Sequence, residues 1–131
     1  MIRATITVRS NEREELIDVT ARVRAALQMS NAVDGVVTLF VPHTTAAITI
    51  NENADPAVQS DMLGWLARLV PRSASFAHAE GNSDGHIKAT LVGASVQVPV
   101  VGGRLLLGRW QGIYFCEFDG PRERQLELVV G

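Results

Sequence analysis

The sequence predicts an α+β domain with mainly antiparallel strand pairing, and three observations carry that reading. Strand patterns dominate: an alternating run over 2–9, β-branched and apolar runs over 36–41 and 46–50, and four more strand segments in the C-terminal third. Only two or three segments carry helical spacing. No linker, low-complexity stretch or internal repeat interrupts the 131 residues, so 1–131 reads as a single domain, long enough to bury a real core.

Ile2, Ala4, Ile6 and Val8 alternate with Arg3, Thr5, Thr7 and Arg9, which describes a strand with one buried face. Thr20 stands as an N-cap to a helix in which Val19, Val23 and Leu27 recur at helical spacing. Asp34-Gly35 turns the chain into the strand Val36–Val41. That run breaks at Pro42-His43, resumes over Ala46–Ile50, and ends in Asn51, Glu52, Asn53 and Asp55. Asp55-Pro56 starts a second helix, with an acid at the cap and proline at the first position. Val58, Met62, Leu66 and Leu69 mark one of its faces, with Trp65 alongside, and Pro71 closes it. Residues 72–86 are polar and broken by glycine. Asp84 is positioned to cap a short helix, with Ile87 and Leu91 one turn apart and Gly93 as its stop. Strands follow at Ser95–Val100, Arg104–Trp110, Ile113–Phe118 and Gln125–Val130.

Composition excludes several classes. The net charge is -2, with no run of like charge, so nucleic acid is not an expected partner. The uncharged stretches Gly35–Asn51 and Ala89–Gly103 contain proline, glycine and polar residues, and neither reads as a membrane span. The single cysteine, Cys116, forbids an internal disulfide and fits a reducing, cytoplasmic setting. The first ten residues lack the apolar core of a signal peptide.

The three histidines, His43, His78 and His86, all lie at breaks between regular elements, where functional side chains concentrate. Three neutral imidazoles hold zinc with a fourth position open, and a zinc-bound water titrates near ~7. No HExxH or paired-cysteine signature is present, and the spacing fixes no geometry. The competing reading is that each histidine does local capping work. Glu52 lies between two asparagines after a buried-looking strand, placed to orient a histidine or to act as a general base. Asp55 and Asp84 read first as helix caps. Trp110 and Gln111 interrupt an apolar run, and Glu117 faces away from Tyr114, Cys116 and Phe118 in a regular strand. Arg109, Arg122 and Arg124 are able to grip phosphate or carboxylate. Lys88, the only lysine, either meets an anionic substrate or sits on the surface. Cys116 reads as a small buried hydrophobe rather than a nucleophile.

The segments "HTTAAITINENADPAVQSD" and "HAEGNSDGHIKATLVGASVQVPVVGGRLLLGRWQGIYFCEFDGPRER", with the closing "VVG", together resemble the YjbQ-like family, also labelled secondary thiamine-phosphate synthase enzyme. The resemblance implies packed β-sheets with a helical layer and a homotrimer. It implies that His43, His78 and His86 converge on one pocket for a divalent metal, taken as zinc, near a subunit interface. Each ring nitrogen is then expected within about 4 Å of a common point. Glu52, Asp55 and Glu117 are its candidate catalytic carboxylates, with Glu52 expected in the same pocket. Asn51, Asn82, Lys88, Arg109, Trp110, Gln111 and Arg122 are its candidate substrate contacts. The implied activity is metal-dependent, on a small anionic, phosphorylated metabolite: a pyrimidine diphosphate joined to a thiazole phosphate, with pyrophosphate released. No P-loop is present, so the metal, Lys88 and Arg109 or Arg122 would carry the leaving group. The alternative is a non-catalytic trimer that binds a metal or metabolite. Gly85 stands where the family pattern suggests alanine, and it is expected to add backbone freedom before His86.

Overall fold

The computed structural model describes residues 2–131. The order is β1 (Ile2–Arg9), β2 (Glu15–Asp18), α1 (Thr20–Ser30), β3 (Gly35–Phe40), β4 (Ala46–Glu52), α2 (Pro56–Leu69), α3 (Ser83–Val92), β5 (Ser95–Val101), β6 (Arg104–Leu105), β7 (Gln111–Glu117) and β8 (Glu123–Val130). The strands make a five-stranded sheet, β1-β8-β3-β5-β6, and a three-stranded sheet, β2-β7-β4. Every pairing is antiparallel. This is the expected α+β class.

Alternation builds the core. Ile6 and Val8 of β1 face inward while Thr5, Thr7 and Arg9 face water. The paired β8 adds Leu126, Leu128 and Val130. The small sheet meets them with Ile48 of β4 and Ile113 and Phe115 of β7, and Val23 and Leu27 of α1 close the sandwich. Each such side chain contributes roughly 1.5–3 kcal/mol by leaving water. The far side of the small sheet carries a second cluster of Ala47, Cys116 and Phe118. Leu63 and Leu66 of α2 and Ala89 and Val92 of α3 cover it. The layers are therefore sheet, sheet and helices.

Local chemistry sets the boundaries. The Asp55 carboxylate accepts the Ala57 N–H at 2.9 Å and caps α2, with Pro56 at the first position, as expected. Thr20 does not cap α1. Val19 holds that position, and the Asp18 carboxylate accepts from both the N–H and the hydroxyl of Thr20. The Thr20 oxygen in turn accepts the buried Ile113 N–H. Asp84 is not a cap either: α3 starts at Ser83 behind Asn82, and Asp84 is buried inside the first turn. The strand expected over Arg104–Trp110 ends at Leu105, because Gly108 turns the chain and donates its N–H to the Gln111 side chain. β2 carries no alternating pattern in the sequence, and its half-exposed residues explain why. Among the described residues no helix is long and apolar enough to cross a membrane.

Candidate functional site

β3 ends at Phe40, and Val41 ties the following loop down by donating its N–H to Ala94 O. Two residues on, His43 lays its ring against β8, where Nε2 accepts the Gln125 N–H at 2.9 Å. In the neutral ring the proton therefore sits on Nδ1. Burial, and then the nearby Arg124 guanidinium, lower the His43 pKa from its ordinary value, so the ring is neutral at pH 7. His86 rises from the first turns of α3. His43 and His86 border a cavity of about 400 Å³ together with Thr44, Asn82, Asp119 and Arg122. They also border an adjoining one of about 360 Å³ with Ala46 and Thr90. His78 stands edge-on to His86 with 5.5 Å between ring centroids. Its Nε2 lies 3.6 Å from the Glu80 carboxylate, and the ring is half exposed. His86 is thus the common member, touching His78 on one side and sharing the groove with His43 on the other.

A buried ion pair underlies this groove. Arg124 is on the inward face at the start of β8, and Glu117 is at the end of β7 in the facing sheet. Arg124 Nε donates to Glu117 Oε1 at 2.9 Å, and Ser10 Oγ donates to the same oxygen at 2.7 Å. The Asp119 N–H donates to Oε2 at 3.1 Å, and Arg124 Nη2 donates to Thr45 Oγ1 at 2.8 Å. Burial pushes the Glu117 carboxyl up, but the bonds from Arg124 and Ser10 outweigh it and hold it below its ordinary range. One node ties together the end of β1, the loop after His43, and both sheets.

The helix carrying His86 is docked in a comparable way. Lys88 Nζ reaches Glu14 at 2.7 Å and Asp84 at 3.0 Å, while Arg13 binds Asp84 from the other side. Gly85 packs against the residue that follows β7 so closely that a Cβ would lie 2.9 Å from Phe118 O. The glycine serves close approach rather than the backbone freedom expected of it.

Several expected residues fall outside the groove. Glu52 does not join the histidines. It ends β4 opposite Gln111, six residues along the strand from Ala46, which is roughly 20 Å at a strand's rise. Asn51, Asp55, Arg109, Trp110 and Gln111 gather at that same far end. Asn51 Oδ1 accepts the Glu52 N–H, Asp55 caps α2, and the Arg109 guanidinium stacks 5.1 Å over the Trp110 ring. Glu117, expected as catalytic, is fully buried with both oxygens occupied. Lys88, expected to touch substrate or water, is 0% exposed and doubly paired. Cys116 is buried and its thiol is pushed up to about 12 by burial, so it is no nucleophile. Asn82 and Arg122 do reach the groove, where both bind Asp119. Asn82 Oδ1 is buried without a partner. Sequence reasoning missed Ser10, Thr45 and Asp119, whose only signal was their closeness to breaks in the strands.

Neutral imidazoles beside carboxylates are the right donors for a divalent ion. The expected convergence of three rings is not reached: among the described residues no three His, Cys, Asp or Glu side chains come together closely enough to hold a metal. The reason is visible at His43, whose Nε2 is engaged by the Gln125 N–H, and at His78, which leans outward to Glu80.

Residues 4–130 match the family described as UPF0047 protein YjbQ-like. A UPF0047 protein of Methanocaldococcus jannaschii is 52% identical over 123 residues, covering 94% of this chain and 89% of the relative. The UPF0047 protein YugU of Bacillus subtilis is 50% identical over 121 residues, covering 92% of each. The crystal structure of an uncharacterised conserved YjbQ/UPF0047-family protein from Clostridium acetobutylicum matches with a TM-score of 0.95. It is 45% identical and covers 98% of this chain and 99% of that one. A hypothetical protein from Aeropyrum pernix matches with a TM-score of 0.96 at 38% identity, covering 100% and 98%.

Proposed function

The chain belongs to the YjbQ-like UPF0047 family, and on that footing we propose that the His43–His86 groove is an enzyme site for a small phosphorylated metabolite. One observation carries the reading. Two histidines from separate elements border one cavity with an exposed arginine, Arg122, above a rigid buried ion pair. Arg122 offers a charge-assisted grip on phosphate once it is released from Asp119. His43 presents Nδ1–H as a neutral donor, and the orphan Asn82 Oδ1 accepts a hydroxyl or amine of the ligand. Asn82 and Asp119 hold Arg122 and the head of α3 in register. A divalent ion, zinc by donor type, would need His78 turned in from Glu80 to join His86, since His43 Nε2 is already engaged by the Gln125 N–H. When bound it would neutralise charge on a leaving pyrophosphate, the thiamine-phosphate-synthase-like transfer that belongs to this proposal.

Assembly as a homotrimer is part of the same reading. Its support is α2, which has no buried residue and leaves Trp65 and Leu69 largely exposed. A non-catalytic binding role is the second reading, favoured by the placement of Glu52 at the far end of β4 and by the commitment of Asp55 and Glu117 to other tasks.

The test is metal analysis of untagged protein, with turnover of phosphorylated substrates by wild type and His86→Ala. About one divalent ion per chain, and turnover lost in the variant by ~10²-fold or more, supports the enzyme. Ligand-dependent thermal stabilisation without turnover supports the binder instead. Turnover unchanged by His86→Ala removes the groove from the chemistry.

A further inference from the structure

A second cavity, of about 480 Å³, lies away from the histidines, between α1 and the turn joining β5 to β6. That volume is within the range of small-ligand sites. Its floor is apolar and buried, made by Leu27 and Leu105. Its rim carries Arg24, Gln28 and Arg104, all exposed.

The arginines single this cavity out. The chain has eleven. Arg3, Arg9, Arg13, Arg122 and Arg124 pair with carboxylates. Arg22 donates to Thr7 O, and Arg68 and Arg109 stack on tryptophans. Among the described residues only Arg24, Arg72 and Arg104 have no such partner, and two of these three border one cavity. The walls are fixed. Gly102 and Gly103 take positive φ to make the turn. The Gly103 N–H donates to Val33 O at 2.7 Å, and the Gly102 N–H donates to the Asp34 carboxylate at 3.0 Å. Asp34, the acid bonded to this turn, is thereby engaged.

We propose that this cavity is a second anion site, distinct from the histidine groove, which takes a phosphomonoester joined to a flat or apolar body. The two guanidinium groups receive the phosphate, Gln28 adds an amide donor, and Leu27 and Leu105 receive the body. The proposal does not depend on the reading of the groove.

The experiment is a titration of ¹⁵N-labelled full chain with adenosine 5′-monophosphate, with adenosine and inorganic phosphate run separately, following the amides of Leu27, Gly103 and Leu105. Saturable shifts are expected with the monophosphate, weaker ones with phosphate alone, and none with adenosine at equal concentration. Arg24→Gln and Arg104→Gln should each weaken binding about tenfold or more, the loss of a charge-assisted bond. Arg24→Lys and Arg104→Lys should keep part of it, and they carry the test if a glutamine variant fails to fold. Shifts confined to the His43 and His86 amides would overturn the second site and leave the groove reading standing. No shift at ~10 mM probe, or shifts indifferent to either arginine, would overturn it as well. So would a change of mass on sedimentation in the arginine variants, which would make this face a contact between copies.

Discussion

Replacing Glu117 by glutamine isolates the buried pair beneath the groove. Glu117 is 0% exposed and Arg124 is 3% exposed, so the change leaves a guanidinium in the sandwich with no counter-charge. Removing one partner of a buried pair costs about 3–5 kcal/mol, because the remaining ion keeps its desolvation penalty. Unfolding entropy of about 2.1 cal/mol/K per residue gives roughly 0.28 kcal/mol/K for a chain of 131 residues, so Tm should fall by about 11–18 °C. The double replacement Glu117→Leu with Arg124→Met should recover most of this, since apolar residues of similar volume need no counter-charge. pH gives a second readout. The folded-state pKa of Glu117 lies below its ordinary 4.5, so the pair's contribution is fully present above that value. It is lost as pH falls through the depressed folded value. Urea unfolding followed by circular dichroism from pH 7 to pH 3 should therefore show a shallower acid limb for Glu117→Gln than for wild type. A loss below about 1 kcal/mol, a double variant as weak as the single, or coincident acid limbs would refute the reasoning.

Two further outcomes are expected. Gly85→Ala should lower Tm although alanine favours helix by ~1 kcal/mol, because the new Cβ would meet the Phe118 carbonyl at 2.9 Å and overpacking costs about 1–3 kcal/mol; a rise in Tm on a thermal melt would show that α3 yields freely. For the proposed trimer, sedimentation at micromolar concentration should give three times the 14.2 kDa chain mass, shifting towards the monomer in Trp65→Glu, whereas a wild-type species of chain mass alone would contradict it.

Elements whose signal is local were legible. Asp55-Pro56 announces α2 because a cap and a proline act within one turn. Ile6 and Val8 announce β1 because period-two alternation is a property of the strand itself. Thr20 and Asp84 misled for the converse reason. Both residue types cap helices, but Thr20 satisfies an N–H of β7, and Asp84 binds Arg13 and Lys88. Those partners are distant in sequence. At the site, the sequence points to His43, His78 and His86 as one trio at breaks in regular patterns, whereas His86 lies inside α3 and only His43 and His86 share the groove. Glu52 looked close to His43 only because nine positions separate them, and an extended strand turns those positions into distance.

By itself the sequence determined the α+β class, the antiparallel strands, the main helix and the family, since periodicity, caps and motif residues act over short stretches of chain. Only the tertiary structure decided which charges are paired and which face water. Lys88 and Glu117 carry the same formal charges in any reading, yet both are buried because Glu14, Asp84, Ser10 and Arg124 converge on them from distant elements. The third dimension likewise placed His43 and His86 on one groove and carried Glu52 to the other end of β4. Charge pairing and convergence depend on how sheets and helices pack, and that packing joins residues more than a hundred positions apart, beyond the reach of any local pattern.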